Sequence, residues 1–216
     1  MITLYHCMSA RSFRPLWALE EMGLDYELKM LPFPPRVFAK EYKEINPLGT
    51  IPFFVDGKTQ MTESCAIAHY VVTKYGPSPL AVDVSEDDYG LYLNGLLYGE
   101  ATITFPQTIV LRYTIQEPQR DRGDVADDYG KWFGARLRYL DAIVSKNEYF
   151  CAGRFTAADI CVSYALMLAE NLKLDHHFSE PVRAYWQRLQ QRPAFQRALA
   201  SQQKAAEEQG LARTGT

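Results

Sequence analysis

The periodicity of apolar residues changes character once along this chain, at Gly76-Pro77-Ser78-Pro79, and that change limits the fold more than any other feature. Before the break, short alternating runs trade places with helical spacing; after it, no segment reads as a strand. Ile2 to Tyr5 is strand-like. Ser12 to Met22 then sets Leu16, Leu19 and Glu20 at helical spacing and stops at Gly23, a residue suited to a helix end. Tyr26, Leu28 and Met30 alternate with charged residues, as in a half-buried strand. A helix between two strands implies a parallel pair with a right-handed crossover. The stretch after Pro32, Pro34 and Pro35 reads as a short irregular helix. Ile51 to Val55 and Lys58 to Thr62 flank Asp56-Gly57, a dipeptide that accepts the positive φ angles of a tight hairpin. Ser64 then reads as the cap of a helix running through Ile67, Tyr70 and Val71. Residues 1–77 are therefore expected to form a small α/β domain of order βαβ-ββα, and residues 85–216 an all-helical one.

In that second half Phe133, Leu137, Leu140 and Val144 make one apolar stripe, and Ile160 to Leu168 is apolar nearly all round apart from Ser163, which predicts a central buried helix. Gly95 and Gly99, four apart, would let another helix approach closely. Leu93, Leu96, Leu97 and Ile103 are expected to share a helical face with Glu100, an odd place for a carboxylate. Thr156 and Asp159 fit a capping box, whose loss should cost about 1–2 kcal/mol. Pro193 opens a last helix, and the small, polar tail from Gly210 is expected to fray.

Composition narrows the function classes. The net charge is −3 with Lys and Arg scattered, so no electrostatic footprint for nucleic acid is visible. No apolar run approaches the roughly 20 residues of a membrane helix, and the first residues lack a basic-then-apolar signal pattern, so a cytoplasmic location is expected. Cys7, Cys65, Cys151 and Cys161 show neither a CxxC pairing nor histidines at metal-ligand spacing and read as small buried hydrophobes; no metal is implied. His176-His177 lacks a third ligand and reads as loop surface.

A βαβ unit, a ββα unit whose third strand begins Ile51-Pro52, Glu63-Ser64 at a helix start, and an all-helical second half resemble the cytosolic glutathione transferases over essentially the whole chain. The local pieces that carry the resemblance are Asn46-Pro47-Leu48-Gly49-Thr50-Ile51-Pro52, the Glu63-Ser64 pair, and Gly153-Arg154-Phe155-Thr156-Ala157-Ala158-Asp159-Ile160. Arg14-Pro15-Leu16 is similar to a step in bacterial members, including the glutathione-dependent β-aryl etherases. The resemblance implies a thioredoxin-like first domain that binds the cosubstrate glutathione and a helical domain that meets a small hydrophobic or aromatic electrophile, in a protein that is usually a homodimer.

It also implies site residues, each of which has a plainer reading. Pro52 would follow a cis bond that turns the backbone of Ile51 toward the cysteinyl part of glutathione, where a trans proline at a strand edge is the commoner case. Ser64 would take the γ-glutamyl carboxylate and Glu63 its ammonium, although the pair is also an ordinary helix start. Lys40 is a weak candidate for the glycyl carboxylate, with Arg36 a further possibility; both also read as surface charges. A free thiol has a pKa near ~8.5, so something must favour the thiolate. Ser9, five residues before Arg14, and Ser12, counted back from Gly23, are the two candidates, and Ser12 is also placed as a helix cap. Cys7 would give mixed-disulfide chemistry instead. Phe38, Tyr98, Glu100, Phe105 and Tyr113 could line the electrophile site or simply belong to core and interface. Ether cleavage, isomerisation and a non-catalytic binding module on the same fold stay open as alternatives to conjugation.

Overall fold

The computed structural model describes residues 1–211; residues 212–216 of the tail expected to fray lie outside the described residues. The chain divides into two compact units, one made of Met1–Ser78 together with the stretch that begins at Gln191, the other of Pro79–Gln190.

The first unit is built on a four-stranded sheet of order β2-β1-β3-β4, from β1 (Ile2–His6), β2 (Tyr26–Met30), β3 (Phe53–Asp56) and β4 (Thr59–Met61). Helix α1 (Phe13–Met22) crosses between β1 and β2, which pair in parallel from Ile2↔Tyr26 to His6↔Met30, as a βαβ unit requires. It ends at Gly23, whose φ of 61° is the left-handed cap that glycine adopts without steric cost. The prolines lead into a one-turn helix α2 (Pro35–Phe38) and a 3₁₀ stretch, Lys40–Glu44. β3 runs antiparallel to β1, and β4 closes the hairpin over Gly57-Lys58, one residue beyond the expected Asp56-Gly57, because Asp56 still pairs with Thr59. Helix α3 (Ser64–Lys74) packs on α1.

The second unit is helical: α4 (Tyr89–Leu97), α5 (Phe105–Leu111), α6 (Gly123–Val144), α7 (Ala157–Asn171) and α8 (Glu180–Gln190). The α6 stripe Phe133, Leu137, Leu140 and Val144 is buried, and every residue of α7 from Ala157 to Ala169 is buried. Gly99 makes the close approach that its spacing with Gly95 predicts: a Cβ there would lie 2.6 Å from the Cys161 backbone of α7. The single helix expected through Leu93 to Ile103 is broken. The chain turns π-helical over Tyr98–Thr102, with Ile103 N–H donating to the Tyr98 carbonyl, and this resets the angular position of everything after it. Leu93 and Leu97 are exposed, Leu97 to 68%, while Leu96 and Ile103 are buried, so the four residues do not form one face.

The largest departure from the expected domains is helix α9 (Pro193–Glu208). Read from sequence as part of a helical half 85–216, it packs on α1 and β2 and belongs to the sheet unit. Phe195 meets Trp17 and Phe13 edge-on at 4.9 and 5.5 Å, Arg192 pairs with Glu21 at 2.7 Å, and Arg197 with Glu20 at 3.0 Å. The Gln209 amide accepts from Met30 N–H and donates to the Leu28 carbonyl, which occupies the open edge of β2. An amphipathic stripe states that a helix must be covered but not by what.

Candidate active site

Register decides which loops meet. Tyr5 faces Phe53, so the chain leaving β1 after His6 and the chain entering β3 through Ile51-Pro52 lie at the same end of the sheet. Cys7, Ile51 and Phe53 share a buried cluster with Ala39 and Tyr42, and Ala10 packs against it, which places the loop after β1 beside residue 51.

The Ile51–Pro52 peptide is cis. β3 begins at Phe53 rather than at Ile51, which leaves Ile51 ahead of the ladder. The segment is held from behind: the Tyr42 hydroxyl and the Asn46 side-chain amide both donate to the Thr50 carbonyl, at 3.0 and 2.8 Å, and Asn46 Oδ1 accepts the Leu48 N–H. Asn46 is buried, so the Asn-Pro-Leu-Gly run fixes a loop.

Between β1 and α1 the chain makes a turn, closed by the Ala10 N–H donating to the Cys7 carbonyl at 3.2 Å. Ser9 occupies its third position with φ of 51°, a conformation ordinarily left to Gly or Asn. Its N–H donates to Gln202 Oε1 at 3.0 Å, and the side chain is half-buried. Ser12 differs. It is fully buried and stands at the expected cap position of α1, with helical backbone angles and no side-chain capping bond. Its hydroxyl accepts the Cys7 N–H at 3.4 Å instead, because the turn folds residue 7 back over the helix start. Burial pushes the Cys7 thiol up to about 12, the opposite of what a nucleophilic cysteine needs.

The first turn of α3 lies next to that of α1. The cap position is Glu63, not Ser64 as the sequence suggests; Ser64 is the first helical residue and is buried, and Glu63 is exposed. Arg14, buried in the first turn of α1, donates from Nη1 to Ser64 Oγ at 2.9 Å. Three elements thus converge on one end of the sheet: the Ser9 turn, the Ile51-Pro52 segment and the Glu63-Ser64 helix start. Lys40 and Arg36 are exposed, and Phe38 is 66% exposed.

The other residues nominated from sequence lie in the helical unit. Tyr98 is a core residue: it is 6% exposed, donates its hydroxyl to the Arg136 carbonyl at 2.8 Å and stacks on Phe150. Its outer edge borders a shallow depression of about 420 Å³ beside Tyr139. Glu100 is half-buried on the π-helical turn, Phe105 is 50% exposed, and Tyr113 is half-buried with the Arg112 guanidinium over its ring. His177 is not loop surface: it packs against Gly134 and meets Phe133 edge-on, which lowers its pKa by burial. Among the described residues no cluster of His, Cys, Asp or Glu could hold a metal ion, and no helix is long and apolar enough to cross a membrane.

Arg14 and Gln202 are absent from the site residues that the sequence nominates. Each carries the same faint signal, a polar residue on an apolar helical stripe; for Gln202 the stripe is Phe195, Ala198, Ala205 and Ala206.

Comparison with known proteins fits this geometry. The family profile described as glutathione S-transferase, N-terminal domain, matches residues 1–73. Glutathione S-transferase 3 of Schizosaccharomyces pombe is 30% identical over 210 residues, spanning 90% of this chain and 85% of that protein. Glutathione S-transferase GstA of Escherichia coli O157:H7 is 25% identical, spanning 92% and 98%. Among solved structures, a glutathione transferase from Methylococcus capsulatus superposes with a TM-score of 0.82 at 23% identity, over 94% of this chain and 98% of the other. A sphingomonad glutathione S-transferase complexed with glutathione superposes at 0.80, also at 23% identity, over 93% and 98%. The two structural likenesses carry the fold, and the yeast relative, at this identity and coverage, carries the family: the chain belongs to the glutathione S-transferases.

Proposed function

We propose that this protein is a glutathione transferase of the serine type, in which Ser9 donates a hydrogen bond to the sulfur of bound glutathione and holds it as the thiolate that attacks an apolar, aromatic electrophile. The observation that carries this reading is the convergence of the Ser9 turn, the cis Ile51-Pro52 segment and the Glu63-Ser64 helix start at one end of the sheet. Ile51 would pair its backbone with the cysteinyl part, as an added strand does. Ser64 and the first amides of α3 would receive the γ-glutamyl carboxylate, Glu63 the ammonium, and Lys40 the glycyl carboxylate.

Of the candidate activators, Ser9 is favoured because the residue is only half-buried, whereas Ser12 is buried and already engaged with Cys7 N–H. Burial and the raised pKa argue against Cys7 and against disulfide chemistry. Within the helical unit, the aromatic character of the electrophile is supported by Phe105, a large apolar side chain left exposed, with Tyr113 half-exposed. The family also supports a homodimer, which light scattering on the purified chain would test.

Thiolate absorbance of bound glutathione against pH decides between the serines. Ser9→Ala should raise the thiol pKa by roughly one unit and slow conjugation of an activated aryl chloride at neutral pH. Ser12→Ala should lower stability and leave the thiol where it was. The reverse ranking would transfer the role to Ser12, and turnover of a β-aryl ether in place of the aryl chloride would make the enzyme an ether-cleaving one.

A further inference from the structure

The left-handed backbone at Ser9 needs an explanation, because a non-glycine residue is strained there and persists only where its surroundings over-determine it. The restraint comes from the far end of the sequence. Gln202, on α9, is buried, and its Oε1 accepts two hydrogen bonds, from Ser9 N–H at 3.0 Å and from the ring nitrogen Nε2 of His6 at 2.9 Å. Ser9 N–H can only donate, so the amide oxygen must face it, and His6 must then carry its proton on Nε2. That leaves the Gln202 amide nitrogen on the side of Ser9 Oγ, 3.5 Å away. A hydroxyl approached by an N–H has a lone pair occupied and presents its own proton elsewhere. α9 is itself fastened by the Arg192–Glu21 and Arg197–Glu20 pairs and by Gln209 along the β2 edge, so Gln202 is set on a fixed support.

We infer that Gln202 is the positioning residue for Ser9: it holds the turn in its left-handed form and occupies the acceptor side of the hydroxyl, so that the Ser9 proton is directed to the glutathione sulfur. This rests on the assignment of Ser9 made above. Gln202 touches no substrate; it acts through the serine. His6 supports it by sharing Oε1, and burial keeps that imidazole neutral, its pKa lowered to about 4, so the arrangement holds through neutral pH.

The test compares the full-length protein with Gln202→Met, Gln202→Glu, Ser9→Ala and the Ser9→Ala/Gln202→Met double variant. The readouts are thiolate absorbance of bound glutathione against pH, and kcat and KM with an activated aryl chloride. Gln202→Met should raise the bound-thiol pKa by roughly one unit, as Ser9→Ala does, and lower kcat while KM for glutathione changes less than about twofold. Gln202→Glu keeps an acceptor for the Ser9 N–H but offers a carboxylate to the hydroxyl, which should take the proton from the sulfur and raise the thiol pKa at least as far. Adding Gln202→Met to Ser9→Ala should change nothing more, since the group through which Gln202 acts is gone. A Gln202→Met thiol pKa at the wild-type value, or a shift that persists in the Ser9→Ala background, overturns the inference. If Ser9→Ala itself leaves the thiol unmoved, it is the assignment of Ser9 that fails, and the inference with it. Should Gln202→Met not fold, the nearly isosteric Gln202→Glu decides alone: a thiol pKa at the wild-type value would overturn the proposal.

Discussion

Ser64 joins two jobs in one hydroxyl. It accepts from the buried Arg14 guanidinium, and in the proposed complex it faces the γ-glutamyl carboxylate. An oxygen with one proton and two lone pairs can do both: it accepts from arginine on one side and donates to the carboxylate on the other. Arg14 thereby orients the Ser64 proton outward, toward the ligand. Ser64→Ala is therefore expected to weaken glutathione binding by about 1–2 kcal/mol, roughly five- to thirty-fold, and to lower stability as Arg14 loses that acceptor. Titration calorimetry on the folded variant reads the first effect; an unchanged dissociation constant would remove Ser64 from the site. The pair Glu63-Ser64 is visible in the sequence, but the arginine behind it is not, because nothing local ties residue 14 to residue 64.

At the scale of elements, the start of α7 illustrates how a local motif acquires a larger role. The capping box expected from Thr156 and Asp159 is present, with Thr156 N–H donating to Asp159 Oδ2 at 2.8 Å. Asp159 also accepts from Phe150 N–H and from the Tyr185 hydroxyl of α8, each at 2.8 Å, and is fully buried. A cap alone would be worth about 1–2 kcal/mol; removing this carboxylate strands the Phe150 amide and a buried phenol as well. Asp159→Ala is expected to cost at least about 3 kcal/mol in denaturant unfolding, more than the sequence motif suggests. A loss near 1 kcal/mol would mean that water or a repacked neighbour satisfies those donors. Nearby, the expected apolar stripe shows the limit of periodicity: the α-helix gives way to a π turn at Tyr98–Thr102, and Leu93 and Leu97 stay exposed while Leu96 and Ile103 are buried.

Across the whole molecule, two buried titratable groups work in opposite directions as pH falls. His6 in the sheet unit has its pKa lowered to about 4 by burial, against its hydrogen bond to Gln202, which raises it. Its neutral form stabilises the fold fully above the unfolded value near 6.5, and that contribution is lost as pH falls through 4. Asp159 in the helical unit has its pKa raised to about 6 by burial, so its contribution grows as pH falls from there toward 3.8. These two contributions oppose each other between pH 6.5 and 4, and the difference between wild type and His6→Asn, which isolates the histidine, should shrink by on the order of 3 kcal/mol over that window. A constant difference would show that His6 titrates alike in folded and unfolded chains. What the sequence determined by itself is what depends on neighbours along the chain: the βαβ-ββα order, the helical second half, the Asn46–Pro52 and Glu63-Ser64 pieces of the candidate site, and the α7 cap, since spacing, caps and turn residues act over a few positions. The tertiary structure alone decided that α9 leaves the helical half to cover the sheet, that Tyr98 is core, that Ser12 is buried while Ser9 is half-open, and that Arg14 and Gln202 stand behind the site. Those outcomes depend on which apolar faces meet, and a face in a sequence specifies that it must be covered without specifying its partner.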